Sequence, residues 1–149
     1  QVLPPLYEAA APDVTRGFHT LRSGGKLCLV ATGFMVHTAI KVADALAAEG
    51  IEVGLVDLFD LARFSADELA ATLGQYDQVV SMEEGFAGRG GLDAMLYDFV
   101  AHRLPGKPLL NIGVDGKYRF DLGTREELHE LAGIGPQAAL NRIKSFAAL

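Results

Sequence analysis

Three short apolar runs, IEVGLVDL (51–58), QVVSME (78–83) and KPLLNIGVD (107–115), alternate along the chain with segments whose apolar residues recur at helical spacing. Strands that are covered on both faces read as near-continuous apolar runs rather than as strict alternation. Strands separated by helices must connect through crossovers, which gives a mostly parallel sheet with helices on both faces. That pattern sets the fold class as α/β.

The remaining elements fit around it. GFHTLRSGGKLCLVATG (17–33) holds two strand-like stretches, about 17–22 and 27–31, on either side of Ser23-Gly24-Gly25-Lys26. Two adjacent glycines supply the positive φ values of a tight primed turn, so the segment reads as a β-hairpin with the first strand antiparallel to the second. FMVHTAIKVADALAAEG (34–50) has Val36, Ile40, Ala43 and Ala47 on one face and His37, Lys41 and Asp44 on another; it reads as an amphipathic helix stopped by Gly50. Ser65 is the expected N-cap of a short helix over 65–74. A further helix is expected over 92–104. Near the end, Thr124-Arg125-Glu126-Glu127 has the form of a capping box, and Gly135-Pro136 opens a last helix striped by Ala139, Ile143 and Phe146. The first 14 residues carry three of the six prolines and no period, so residues 1–16 read as a lead-in or interdomain linker and 17–149 as one domain. The chain begins at Gln1 rather than Met, as expected of a trimmed chain or a piece of a longer polypeptide.

The glycine-rich stretch VSMEEGFAGRGGLD (80–93) is the obvious place to look for chemistry. It fails the dinucleotide pattern, because Asp93 stands where the third glycine is needed after Gly88 and Gly90. It fails the phosphate-loop pattern, because Gly91 stands where lysine is required. Glu83 and Glu84 are neighbours on a strand and point to opposite faces, so they do not converge on one atom. The expected role is a turn that lets the following helix pack closely on its strand. Ligands of open α/β sheets nonetheless bind beyond the carboxyl ends of the strands, near a reversal of strand order. Two loops leave such ends and enter helices, 32–35 and 83–91. If their strands are neighbours, two helix N-termini flank one crevice. Thr32, Gly33, His37, Glu84, Arg89, Gly90 and Gly91 are the candidate crevice or partner contacts, with His37 and Glu84 foremost. A solvated His37 and a rim-exposed Arg89 are the plainer readings of those two residues.

Composition excludes several classes. A net charge of −6 with no basic cluster argues against a nucleic-acid surface. No apolar run approaches the roughly 20 residues that span a bilayer. The single cysteine, Cys28, lies in an expected buried strand, which suits a small core residue in a reducing cytoplasm rather than a nucleophile. His19, His102 and His129 show no metal-ligand spacing, and no Gly-x-Ser-x-Gly elbow anchors a hydrolase triad. No catalytic, cofactor-binding or metal-ligating residue is assigned.

KLCLVATGFMVHTAIKVADALAAEGIEVGLVDLFDL (26–61) together with VVSMEEGFAGRGG (79–91) resembles the C-terminal domain of transketolase-like thiamine diphosphate enzymes: the transketolases, the 1-deoxyxylulose-5-phosphate synthases and the 2-oxo-acid dehydrogenase beta subunits. The resemblance rests on Ala31-Thr32-Gly33, Glu49-Gly50-Ile51, the apolar strand 53–58, Glu83-Glu84 and Gly90-Gly91, in that order. GTREELHELAGIGPQAALNRI (123–143) is similar to the tails of the synthases and split transketolases. Asp93 departs from the pattern, since many relatives carry a small residue there. The resemblance implies a three-layer α/β/α domain with a five-stranded mixed sheet whose first strand is antiparallel. It implies that thiamine diphosphate and Mg²⁺ are held by other domains of the parent enzyme. The partners it implies are a homodimer mate, upstream domains or a second subunit. Val114-Asp115-Gly116, followed 25 positions later by Asn141, only partly matches that family's metal-diphosphate motif and reads as coincidence.

Two functions follow as expectations. One is a non-catalytic C-terminal section of such an enzyme, contributing to dimerisation and organisation, while the whole enzyme transfers a two-carbon or acyl unit. The alternative is a free-standing protein-interaction or small-anion-binding module, because α/β layers host many functions.

Overall fold

A computed structural model describes residues 3–7 and 12–149. Following a 3-10 turn at Val14–Arg16, the elements run β1 (Phe18–Arg22), β2 (Leu27–Ala31), α1 (Met35–Ala48), β3 (Gly54–Leu58), α2 (Ala66–Gly74), β4 (Gln78–Phe86), α3 (Leu92–Arg103), β5 (Leu109–Val114), α4 (Arg125–Leu131) and α5 (Pro136–Ala147). One five-stranded sheet has the order β1-β3-β2-β4-β5; β1 is antiparallel to β3 and every other pairing is parallel.

Successive residues of a strand face opposite sides, and β2 shows the consequence. Leu27, Leu29 and Ala31 pack with α1 and α5, whereas Cys28 and Val30 pack with α2 and α3. Leu55, Val80 and Met82 join the first core, and Val56, Leu58 and Val79 the second. Both faces of the central strands are therefore dry, which is why they are apolar without alternation. The sheet lies between two helical layers, as expected from the sequence.

The hairpin is a correction. β1 and β2 run in opposite directions but are not hydrogen-bonded to each other, because β3 lies between them. Gly24 and Gly25 do have positive φ (124° and 68°), yet they do not form a hairpin turn. A Cβ on Gly25 would strike the backbone at Glu52 and come within 3.4 Å of Val53 Cα, just ahead of β3. The link thus crosses over the end of the inserted strand, and the glycine is required for that close approach. Local turn chemistry was compatible with either arrangement; the strand that β1 pairs with lies further on, from Arg22 opposite Leu55 to Phe18 opposite Leu58.

Ser65 does stand at the N-cap of α2, but its side chain makes no capping hydrogen bond. Thr124 and Glu127 form the full reciprocal box at α4, and Pro136 begins α5. Of the lead-in, Leu6 packs on the α1/α5 core, while residues 1, 2 and 8–11 lie outside the described residues. Among the described residues no helix is long and apolar enough to cross a membrane.

Candidate functional site at the carboxyl ends of the central strands

From β2 the chain passes through α1 to β3 on one side; β4 and β5 lie on the other. Strand order therefore reverses between β2 and β4, and these two strands are direct neighbours. Thr32 N–H donates to Met82 O (3.3 Å), tying the start of the β2–α1 loop to β4. The crevice anticipated from the sequence has the required strand arrangement.

Glu83 and Glu84 part company there. Glu83 is buried (5% exposed) and accepts hydrogen bonds from the N–H groups of Leu92 (3.1 Å) and Asp93 (2.8 Å), the first residues of α3. Asp93, also buried, accepts in turn from Gly88 N–H and from Ala94 N–H (2.6 Å). Burial pushes the Glu83 carboxyl above its ordinary range; the two backbone bonds oppose this, and neighbouring Asp93 pushes it up further. The N-terminus of α3 is an anion site, and the anion is the protein's own Glu83. Gly91, at φ 95° and ψ −151°, starts α3, and a Cβ there would lie 2.5 Å from Glu83 Oε2. The glycine-rich stretch is thus shaped around an internal carboxylate.

Glu84 faces the other way, toward α4. Its Oε1 lies 3.0 Å from His129 Nε2 and 3.5 Å from Arg125 Nη2. Arg125 and His129 are four residues apart, hence on one face of α4. The same pair encloses Phe34: the His129 ring meets it edge-on at 5.3 Å, and the Arg125 guanidinium sits 4.3 Å from its ring centre. His37 packs obliquely on Phe34 from the first turn of α1, at 6.1 Å. No side chain caps the start of α1. Beyond this cluster lies a cavity of about 380 Å³, walled by Phe34, His37, Lys41, Glu126, His129 and Pro136 and covered by residues 3–6. Lys41 Nζ is 3.4 Å from Glu126 Oε1 across it.

Next to the cavity, Tyr7 donates its hydroxyl proton to Asp57 Oδ2 (2.5 Å) at the carboxyl end of β3. The Tyr7 ring meets His19 edge-on at 5.4 Å, and His19 is the cross-strand partner of Asp57. Burial raises the Asp57 carboxyl, against opposing effects of the Tyr7 hydroxyl and of His19 and His37. Burial and then the Asp57 carboxylate push the Tyr7 phenol well up.

The candidate residues are therefore divided. His37 lines the cavity and Glu84 reaches it through His129; Thr32 and Gly33 do not line it, their carbonyls accepting from Met35 and Val36 N–H at the turn into α1. Gly91 serves Glu83 instead. Arg89 lines a separate hollow of about 370 Å³ with Phe86, Gly116, Lys117 and Tyr118. His129, Tyr7 and Asp57 carry more of the site than the sequence reading gave them. The spacing of Arg125 and His129 on one helical face was the available signal.

Nor do Asp115 and Asn141 fit a metal-diphosphate site. Asp115 is engaged by Arg119 (2.7 Å) and Lys117 (3.3 Å), and Asn141 Oδ1 accepts from Gln137 Nε2 (3.0 Å) on α5.

The profile of the family described as "Transketolase, C-terminal domain" matches residues 18–138. The 1-deoxy-D-xylulose-5-phosphate synthase of Vibrio vulnificus (strain CMCP6) is 28% identical over 141 residues, 95% of this chain but 21% of that protein. That of Vibrio parahaemolyticus serotype O3:K6 is 30% identical over 143 residues, again 95% against 21%. The chain thus spans about a fifth of the length of these curated relatives. Among solved structures, a split gene transketolase described as an inactive beta4 tetramer superposes with a TM-score of 0.85 at 24% identity, covering 99% of this chain and 47% of that one.

Proposed function

This chain belongs to the transketolase C-terminal domain family, and from that premise we propose that it is the non-catalytic C-terminal section of a thiamine diphosphate-dependent transketolase-like enzyme. In this reading it organises and helps to dimerise an assembly whose other parts hold the thiamine diphosphate and Mg²⁺. The whole enzyme moves a two-carbon or acyl unit, with the thiazolium ring supplying the electron sink. The observation that carries the proposal is the asymmetry of coverage: relatives match nearly all of this chain and only a fifth of themselves.

The site geometry supports it. Glu83 and Asp93 act as helix-capping acceptors, and Glu84 lies against Arg125 and His129, so these carboxylates are engaged by the protein itself. The strap 3–7 lies over the domain, with Tyr7 bonded to Asp57, which suits a connection arriving from a preceding domain. Cys28, buried and free, suits the cytoplasm. Calorimetric titration with thiamine diphosphate and Mg²⁺ tests the reading. The chain alone is expected to show no binding heat; saturable one-to-one binding would overturn it.

A further inference from the structure

Leu3-Pro4-Pro5-Leu6 covers the 380 Å³ cavity, and with Tyr7 it forms a strap without helix or strand. Proline fixes φ at about −65° and has no N–H to donate. Extended proline-rich backbone has about three residues per turn and no internal hydrogen bonds, so every third side chain returns to one edge. Leu3 and Leu6 follow that spacing and are half-buried, whereas Pro4 and Pro5 between them are exposed. Leu6 packs on the α1/α5 core and Leu3 lines the cavity.

Little else holds the strap down. Among the described residues no backbone hydrogen bond joins 3–7 to the rest of the chain. The segment's one hydrogen bond there is the Tyr7 hydroxyl to Asp57 Oδ2 (2.5 Å), beside the edge-on contact of the Tyr7 ring with His19. Asp57 is buried in β3, paired on one side with His19 of β1 and on the other with Ala31 of β2. The latch therefore has a fixed post in the sheet and a partner on a weakly attached segment. Segments with few buried contacts open at free energies well below that of global unfolding. Lifting this one uncovers Phe34, His37, Ile40 and Pro136, the wall of a space within the size range of small-ligand sites.

We propose that residues 3–7 are a releasable strap, latched by Tyr7 on Asp57, that opens and closes this cavity while the sheet and helices stay folded. The proposal is independent of the accessory-domain reading, since it concerns contacts within this chain alone. Chymotrypsin, which cuts after aromatic residues, tests it on the full chain, with products identified by mass. Tyr7→Phe deletes the hydroxyl and keeps an aromatic cleavage position; Asp57→Ala breaks the latch from the other side and keeps the tyrosine. Initial cleavage after residue 7 should be about fivefold faster or more in both variants, as expected for losing one hydrogen bond to a carboxyl group. Cuts after Tyr118 and Phe120, which are 94% and 90% exposed, serve as the internal reference and should keep their rate in Tyr7→Phe, with an unchanged urea midpoint. Carbethoxylation of His37 by diethyl pyrocarbonate should quicken in Tyr7→Phe, while the exposed His102 on α3 keeps its rate. Equal cleavage after residue 7 in wild type and both variants overturns the latch. Faster cleavage with His37 no more reactive overturns the gating of the cavity, and faster cleavage with a matching rise at the reference sites overturns local opening.

Discussion

Gly91 and Gly135 each begin a helix whose leading N–H groups are taken by a carboxylate from an earlier element. Glu83 serves α3, and Glu130 serves α5 through Gln137 N–H (2.8 Å) and Ala138 N–H (2.9 Å). In both cases a Cβ on the glycine would collide with that carboxylate. The negative charge also complements the helix dipole. Gly91→Ala meets two penalties, a backbone conformation almost reserved for glycine, costing about 1–3 kcal/mol, and a clash in a packed site, costing about 1–3 kcal/mol more. Gly88→Ala, at φ 72° with nothing within 4 Å of the added carbon, meets only the left-handed penalty of about 1–2 kcal/mol. Urea unfolding should therefore show Gly91→Ala with the clearly lower midpoint, and equal midpoints would remove Glu83 from its capping role. The sequence showed that the glycines shape a helix entrance. It did not show what they shape it around, because Glu83 contacts residues nine and ten positions ahead.

Among the elements, α4 is short and contributes no buried residue, yet it brings Arg125 and His129 to Glu84 and Phe34. Its stability rests heavily on the Thr124–Glu127 box, in which the Glu127 side chain accepts from Thr124 N–H (2.8 Å) and Glu127 N–H donates to Thr124 Oγ1 (3.3 Å). Thr124→Ala is expected to cost about 1 kcal/mol. Amide exchange should quicken along α4 while the sheet stays protected; uniform quickening would mean that α4 does not open independently. This box was legible from four adjacent residues, as was the α/β alternation; the cavity itself is walled by α1, the start of α5, residues of α4 and the lead-in rather than by the loop 83–91. Contacts between Glu84 and His129, or Tyr7 and Asp57, were not. They join positions 45 and 50 residues apart, and no local pattern marks them.

For the molecule as a whole, Asp57 gives stability a pH dependence of definite sign. Its folded carboxyl is raised above the unfolded value of about 3.9, so the native state holds the proton more tightly. The contribution is complete below that unfolded value and is lost as pH rises through the folded one. Asp57→Asn keeps an acceptor for Tyr7 and removes the titration. Its stability should fall less than that of wild type as pH rises from about 4 to neutrality, measured by denaturant unfolding at each pH; a steeper fall would refute the assignment. The same scale holds the largest departure from the sequence reading, the insertion of β3 between β1 and β2. During synthesis β1 emerges before the other strands of the sheet, but β3, its only hydrogen-bonding neighbour among the described residues, is not complete until Leu58 has left the ribosome. Until then a nascent chain carries an unsatisfied edge, and sheet assembly has to begin from the middle outward rather than in the order of translation.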